Sequence, residues 1–202
     1  MTFKQTVLQE VLNLFRQEGV AHLNEQEILD RVDISSATYR EFFKGMEDLV
    51  TQVVQYDLES RKKDHERIFA GEPSPLRRLL LVVKLGLDTL RSSQPTVLME
   101  IQENYPAAWA LYWNHSNDYT THLLYDLLNE GVLQKEFRQD LNIQLVTKIM
   151  LEQLGLVVNP MTFPPDRFDI SEVFRSVFLY YIRGICTEEA MKTAEDFFSK
   201  LR

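Results

Sequence analysis

Hydroxyl and basic side chains cluster between residues 35 and 44, in the order Ser-Ser-Ala-Thr-Tyr-Arg-Glu-Phe-Phe-Lys. Hydroxyls both donate and accept hydrogen bonds, and guanidinium and ammonium groups bind phosphate oxygens and the acceptor edges of bases. Arg40 and Lys44 supply the cations of this cluster. Such side chains could contact the phosphates and bases of nucleic acid. The alternative interpretation is an ordinary solvated turn, in which Ser35 is a helix cap and Arg40 and Lys44 are surface charges.

Three helices must position this cluster. Apolar residues at helical spacing predict a first amphipathic helix over 6–17, and Asn24 followed by Glu27 has the spacing of a capping box that opens a second, short helix. A turn at 33–35 separates that helix from a third, predicted over 36–43. A short helix pair joined by a turn of about three residues, behind a longer covering helix, is typical of a helix-turn-helix domain.

The order of residues over 11–50 resembles the N-terminal domain of the tetracycline-repressor (TetR/AcrR) family. In that family an apolar helix ends in Phe and is followed by Gly, an Ile-Ala pair, Gly-Val-Ser, a Gly-Thr-Leu-Tyr-like stretch with a closing Phe, and Lys-Glu-x-Leu. The matching residues here are Phe15, Gly19, Ile28, Ile34, Ser35, Thr38, Phe43, Glu47 and Leu49. Later segments at 131–140 and 181–189 also resemble the family, so the resemblance extends over most of the chain.

The resemblance implies that the second helix of the pair enters the DNA major groove, with side chains near its start on base edges and phosphates. The start of that helix, where Ser35 is the predicted cap, also leaves free amides that favour an anion. The candidate DNA-binding residues are Gln26, Ser35, Ser36, Ala37, Thr38, Arg40, Glu41 and Lys44.

Three positions depart from the family pattern in this domain. Asp33 stands where the family has Gly, Arg40 where it has Tyr, and Met46 where it has Lys. Residues 1–50 carry five basic and nine acidic residues, a net charge of −4, where a nucleic-acid-binding domain normally has a basic patch. This excess of acid predicts DNA binding that is weak or gated by a ligand.

The remainder of the chain reads as long helices that form a second domain. We therefore predict an all-α fold with a helix-turn-helix domain at 1–48 and a helical effector-binding and dimerisation domain at 49–202. Asp140 is the predicted cap of a helix at 141–158. That helix and one at 170–184 carry more apolar residues than one face needs, which predicts a homodimer built as a four-helix bundle. The resemblance implies the same dimer.

Aromatic side chains with a few polar groups are concentrated over 99–125 and predict a pocket for an apolar or aromatic effector of unknown identity. The candidate lining residues are Met99, Tyr105, Trp109, Trp113, Tyr119 and His122. The alternative interpretation of this stripe is ordinary core packing, because aromatic residues at helical spacing commonly fill a core.

The composition of the chain and the motifs it lacks limit the classes of function that the sequence allows. The chain has 202 residues, 45% of them hydrophobic, and a net charge of −8, which argues against indiscriminate binding to DNA or anionic lipid. Its one cysteine, Cys186, forms no disulfide within the chain, and no export signal or membrane-spanning run is recognised, so we expect a cytoplasmic protein. His115 and His122 lack the carboxylate partners of a metal site. No metal, cofactor or catalytic constellation is predicted.

The sequence thus leaves one leading hypothesis and two alternatives. The leading hypothesis is a dimeric, ligand-responsive transcriptional regulator, most simply a repressor, that binds a palindromic operator. The first alternative is a helical ligand-binding or protein-interaction module on the same scaffold with weak or lost DNA binding, motivated by the acidic N-terminal domain and Met46. The second alternative is a helical enzyme, for which no catalytic constellation is visible.

Overall fold

The computed structural model describes residues 2–94 and 96–201, and the all-α prediction is confirmed. The helices are α1 (Phe3–Glu18), α2 (Glu25–Val32), α3 (Ser36–Phe42), α4 (Met46–Phe69), α5 (Pro75–Arg91), α6 (Val97–Asn104), α7 (Pro106–His115), α8 (Thr121–Leu133), α9 (Ile143–Val158), α10 (Ile170–Ile185) and α11 (Glu188–Lys200). A π-helical turn, Ser116–Thr120, joins α7 to α8. Within the described ranges, β pairing is limited to one isolated bridge between Phe137 and Cys186.

Polar side chains at the helix starts explain where the helices begin. Asn24 and Glu27 form the predicted capping box of α2, each side chain bonding to the other residue's backbone amide. Thr187 caps α11 as predicted. The predicted cap Asp140 is wrong: the Asn142 side chain accepts the amide of Leu145 and caps α9. Asp140 instead pairs with the guanidinium of Arg138, and this pairing occupies its carboxylate.

The described residues divide into two compact units, and the first comprises residues 2–64 and 92–115. It contains α1, α2, α3, most of α4, α6 and α7. The apolar face of α1 supplies much of its core, with Val11 and Phe15 almost fully buried. Leu49 and Val53 from α4 and Ala108 from α7 belong to the same buried cluster. The helix-turn-helix elements are therefore packed into one core with α4, α6 and α7.

The second unit comprises residues 65–91 and 116–201. Helix α5 packs against α8, α10 and α11, and α9 packs against α8 and α10. Gly131 in α8 makes room for the Phe137 ring, because a Cβ there would lie 2.1 Å from Phe137 Cδ2. The Gly131 and Phe137 positions, which belong to the family-like segment at 131–140, thus serve a close packing contact.

The boundaries of these two units differ from those of the predicted domains at 1–48 and 49–202. The predicted domains divide the chain by function, and that division stays a prediction. Among the described helices, none has the length and apolar character needed to cross a membrane.

Candidate DNA-binding surface

The turn between α2 and α3 is closed by Ser35, as the sequence predicts. Its side chain accepts the amide of Thr38 at 3.1 Å, and the two hydroxyl oxygens lie 2.9 Å apart. The amide of Tyr39 donates to the Ser35 carbonyl at 2.9 Å. Capping by serine satisfies a helix-start amide that would otherwise lack a partner. The hydroxyl of Thr38 is committed to this cap, which makes Thr38 a structural member of the candidate set.

Asp33 ends α2 in the left-handed conformation, with φ 53° and ψ 51°. Its amide donates to the carbonyl of Leu29. Glycine adopts this conformation without steric cost, and among other residues asparagine and aspartate tolerate it best. The family's Gly at this position therefore has a backbone reason, and Asp33 meets the same backbone requirement while adding a carboxylate to the turn.

The predicted contact residues of α3 form one exposed face. Ser36, Ala37, Arg40 and Glu41 are all exposed. At 100° per residue they span an arc of about 140°. The neighbouring Tyr39 points the other way and is 1% exposed. The structure thus brings four of the eight predicted residues together on the outer face of the helix, with one guanidinium and one carboxylate among them.

Lys44 and Gln26 flank this face from either side along the chain, and both are exposed. The Gln26 side chain donates to Asp30 Oδ1 at 2.9 Å, one turn later in α2. The backbone amide of Lys44 donates to Asp48 Oδ2 at 2.8 Å, and the side-chain ammonium group forms no ion pair among the described residues. Lys44 therefore offers its charge to solvent, whereas Gln26 has one amide hydrogen in use.

Tyr39 anchors the inner side of α3. Burial raises its pKa to about 12, with smaller contributions from the carboxylates of Glu25 and Asp48. Its ring lies 5.4 Å from that of Phe43. The hydroxyl oxygen is buried and has no hydrogen-bond partner among the described residues. Tyr39 thus contributes apolar packing and stays neutral at physiological pH.

A buried ionic network supports the helix-turn-helix elements from behind. Asp57 of α4 is 2% exposed. Its carboxylate lies 2.6 Å from Arg16 Nη2 of α1 and 2.9 Å from Arg61 of α4. Tyr112 of α7 donates to the same carboxylate at 3.4 Å, and burial together with Asp57 raises its pKa to about 12. The network therefore ties α1 to α4 and α7.

A second carboxylate, Glu100 of α6, holds the turn that follows α1. It accepts the amides of Val20 at 2.6 Å and Ala21 at 3.0 Å. Burial disfavours its charge, but hydrogen bonds from Thr96 and from these two amides outweigh burial and lower the pKa of Glu100. Gly19 has φ 84°, a conformation that other residues rarely adopt, and a Cβ there would also lie 2.8 Å from Glu100 Oε2.

Sequence reasoning missed Arg16, Asp57 and Glu100 as supports of the candidate surface. Each acts across a long sequence separation, and a single Asp or Glu on an amphipathic helix is usually solvated. Only the low exposure of Asp57 distinguishes it, and exposure is a property of the fold.

The six candidate pocket residues do not all fall in one unit. Met99, Tyr105, Trp109 and Trp113 lie on or between α6 and α7 in the first unit, where Trp113 is 56% exposed. Tyr119 belongs to the π-helical turn of the second unit, and its hydroxyl lies 3.1 Å from His65 Nδ1. His122 is exposed on α8, and its ring contacts the carbonyl of Asp118.

Two open surface clefts lie elsewhere in the molecule. The first, of about 440 Å³, lies between α1 and α2 and is lined by Glu10, Asn13, Leu14, Gln17, Glu18, Arg31, Val32 and Asp33. The second, of about 510 Å³, lies beside the start of α11 and includes Arg138, Arg183 and Met191. Neither contains a candidate pocket residue. Over residues 2–94 and 96–201, no three His, Cys, Asp or Glu side chains are grouped so as to hold a metal ion.

Comparison with known proteins gives a clear result at the level of fold. No family model and no curated sequence matches the chain. Solved structures do match: a TetR transcription regulator from Haloarcula marismortui has a TM-score of 0.74 at 20% identity, covering 92% of this chain and 100% of that one. Regulatory protein TetR from Rhodobacter sphaeroides has a TM-score of 0.72 at 13% identity, covering 90% and 98%.

A third match is the ketosteroid transcriptional regulator KstR2 of Mycobacterium tuberculosis, with a TM-score of 0.61 at 17% identity, covering 93% of this chain and 97% of that one. All three neighbours are regulatory proteins by name. The resemblance drawn from the sequence agrees with them over nearly the whole chain. The chain has the all-α fold of the TetR-family transcriptional regulators.

Proposed function

We propose that the chain is a dimeric transcriptional repressor that binds operator DNA through α2 and α3 and responds to a small-molecule effector. The observation that carries this proposal is the outer face of α3, where Ser36, Ala37, Arg40 and Glu41 are exposed around a capped helix start. Side chains of this kind on the second helix of a helix-turn-helix reach base edges and phosphates in the major groove.

Operator binding is tested by fluorescence anisotropy with labelled fragments of the DNA upstream of the gene, over a series of salt concentrations. We expect one fragment to be preferred over random DNA, with affinity that falls as salt rises. R40A should weaken binding to that fragment and reduce the salt slope by about 1 per protomer, as expected for a phosphate contact. Equal affinity for all fragments at low salt contradicts operator recognition.

The proposed dimer uses α9 and α10. Leu145, Ile149 and Leu156 of α9 are exposed and lie within about 40° of one another around the helix. Tyr180 of α10 is 67% exposed. Apolar side chains in a stripe of this kind favour burial against a second chain, and a two-fold pairing would join two such helix pairs as a four-helix bundle.

Light scattering at micromolar concentration tests this assembly, and a monomeric wild type contradicts it. I149D should produce monomers because a carboxylate would be buried at the interface without a partner. Leu133 at the end of α8 is also exposed and lies outside α9 and α10, so L133D is the matched control and should remain dimeric.

The proposed effector contacts the aromatic side chains of α7. Both tryptophans of the chain, Trp109 and Trp113, lie on this helix, so tryptophan fluorescence reports on α7 alone. Titration with steroid and aromatic compounds should quench or shift this emission for a bound compound, and W113F should remove part of the response. Unchanged emission with a compound that releases the protein from DNA places the effector elsewhere. Tyr119 and His122 stay predicted contacts.

A second candidate function is a protein-interaction or ligand-binding module without operator binding. The net charge of −4 over residues 1–50 favours it. The anisotropy series separates the two functions, since the module would show no fragment preference at any salt concentration. We also propose that the chain is not an enzyme.

A further inference from the structure

The basic residues near the helix-turn-helix differ in how strongly they are paired. Residues 1–50 contain five basic residues in total. Arg16 is bound to buried Asp57 at 2.6 Å, and Arg31 is paired with Glu18 at 2.5 Å. Each pair has no net charge, so neither arginine adds an uncompensated positive charge to the domain. Arg16 is tied to the buried carboxylate of Asp57, whereas the pair of Arg31 and Glu18 is 57% and 38% exposed and stabilises the domain little.

The other three basic residues, Lys4, Arg40 and Lys44, form no ion pair with any residue in the described part of the chain. Their positions converge on α3. Arg40 lies on its outer face, and Lys44 follows its end. Lys4 comes from the first turn of α1, but its Nζ lies 5.8 Å from the ring centre of Phe42 and 5.6 Å from that of Phe43.

The aromatic rings hold the Lys4 ammonium in place without neutralising it. A cation over a ring face is attracted by the ring quadrupole, by about 0.5–1 kcal/mol at an exposed site. The attraction leaves the formal charge intact, and the ammonium has three N–H donors. Lys4 is thus a charged donor whose ammonium is biased towards the end of α3.

The local electrostatics favour an anion at this position. The first turn of α1 contains no acidic residue, and the amino end of a 16-residue helix carries partial positive charge. Asp48, at the start of α4, has its carboxylate engaged by the amide of Lys44 at 2.8 Å and by Gln52 Nε2 at 3.0 Å. These bonds from neutral amides fix the orientation of the Asp48 carboxylate and leave its charge in place, so the favourable contributions come from α1 and the cations.

We propose that Lys4 is a phosphate-contacting residue, which with Arg40 and Lys44 gives each protomer three cations for the DNA backbone. The inference rests on the proposed function. It assigns a DNA contact to the first turn of α1, outside the helix-turn-helix pair. A dimer then has six such cations, and the slope of log K against log salt should be near −5, at about −0.9 per neutralised phosphate.

The test is the anisotropy salt series with the upstream DNA fragment that the wild type prefers, repeated for K4M and K4R. Methionine keeps an apolar stem over Phe42 and Phe43 but removes the charge, so K4M should reduce the slope by about 2 per dimer and weaken binding at least about tenfold near 0.1 M salt. K4R should retain the wild-type slope. K192M removes an exposed lysine of α11 in the second unit and is the matched control.

The outcomes are distinct. A wild-type slope for K4M, or an equal loss for K4M and K192M, overturns the role of Lys4 and leaves operator binding intact. A wild type that prefers no fragment overturns the proposed function and this inference with it. An unchanged circular dichroism spectrum and melting temperature for K4M shows that a loss of slope comes from charge, and a melting temperature lowered equally in K4R and K4M assigns Lys4 to packing instead.

Discussion

Replacing Asp57 by asparagine is the sharpest perturbation of the support behind the candidate surface. The substitution keeps the shape of the side chain but removes the charge shared by Arg16 at 2.6 Å and Arg61 at 2.9 Å. Breaking a buried ion pair by removing one partner costs about 3–5 kcal/mol. The Arg16 and Arg61 side chains retain 26% and 34% exposure, so water can partly resolvate them. We therefore expect a loss near the lower limit, about 3 kcal/mol.

The assay is urea denaturation followed by far-ultraviolet circular dichroism at pH 7 and one fixed protein concentration, since dimer formation couples stability to concentration. The matched control is E195Q, which removes an ion pair with Arg183 whose side chains are 42% and 45% exposed. Exposed pairs contribute about 0–1 kcal/mol. D57N should therefore lower the unfolding free energy by at least about 2 kcal/mol more than E195Q does.

A double-mutant cycle between D57N and R16M isolates the contact between α1 and α4. A coupling free energy above about 1 kcal/mol is expected for residues in direct contact within one network. Equal stability losses for D57N and E195Q, or additive effects in the cycle, would refute the view that Asp57 anchors α1.

Three further predictions concern individual contacts. G131A should lower the free energy of unfolding by about 2 kcal/mol, because its Cβ would lie 2.1 Å from Phe137 Cδ2, and F137L should restore part of the loss in urea denaturation. The stability difference between wild type and E100Q should be full above about pH 4.3, the pKa of an unfolded glutamate. Its charge-dependent part should be lost in urea titrations as the pH falls through the lowered pKa of Glu100, and a difference that does not change with pH contradicts the role of its charge. Burial, together with the charge of Glu136, raises the pKa of the Cys186 thiol to about 12. At pH 8 this thiol should therefore react with a disulfide reagent roughly a thousandfold more slowly in the native protein than in urea. Comparable rates would show that the site opens readily.

Local sequence signals predicted the helix-turn-helix because its structure is encoded within a few residues. The capping box at Asn24 and Glu27 and the cap at Ser35 each join positions three apart, and the structure confirms both. The same reasoning failed at Asp140, where two candidate caps stand close together. The Arg138 side chain competes for Asp140, and Asn142 takes the helix start.

The grouping of α6 and α7 with the N-terminal helices could not be predicted from such signals. It depends on contacts such as Glu100 with Val20 and Tyr112 with Asp57, which join residues far apart in the chain. A carboxylate that bonds to a backbone amide or to another helix's side chain leaves no periodic pattern in the sequence. The two compact units therefore depend on these long-range contacts, and their boundaries differ from the domain boundaries predicted from the sequence.

Asp33 shows how a departure from a family pattern can be neutral for the fold and still matter for function. Its φ of 53° and ψ of 51° are accessible to aspartate at a modest cost, so the turn before α3 keeps its geometry without glycine. The carboxylate, however, stands two residues before the cap Ser35, where under the proposed function it would oppose the approach of DNA phosphates to Arg40 and Lys44. D33N keeps the left-handed conformation accessible and removes the charge. Under the proposed function, operator binding would depend on Lys4, Arg40 and Lys44, which form no ion pair among the described residues, and the net charge of −8 would oppose it.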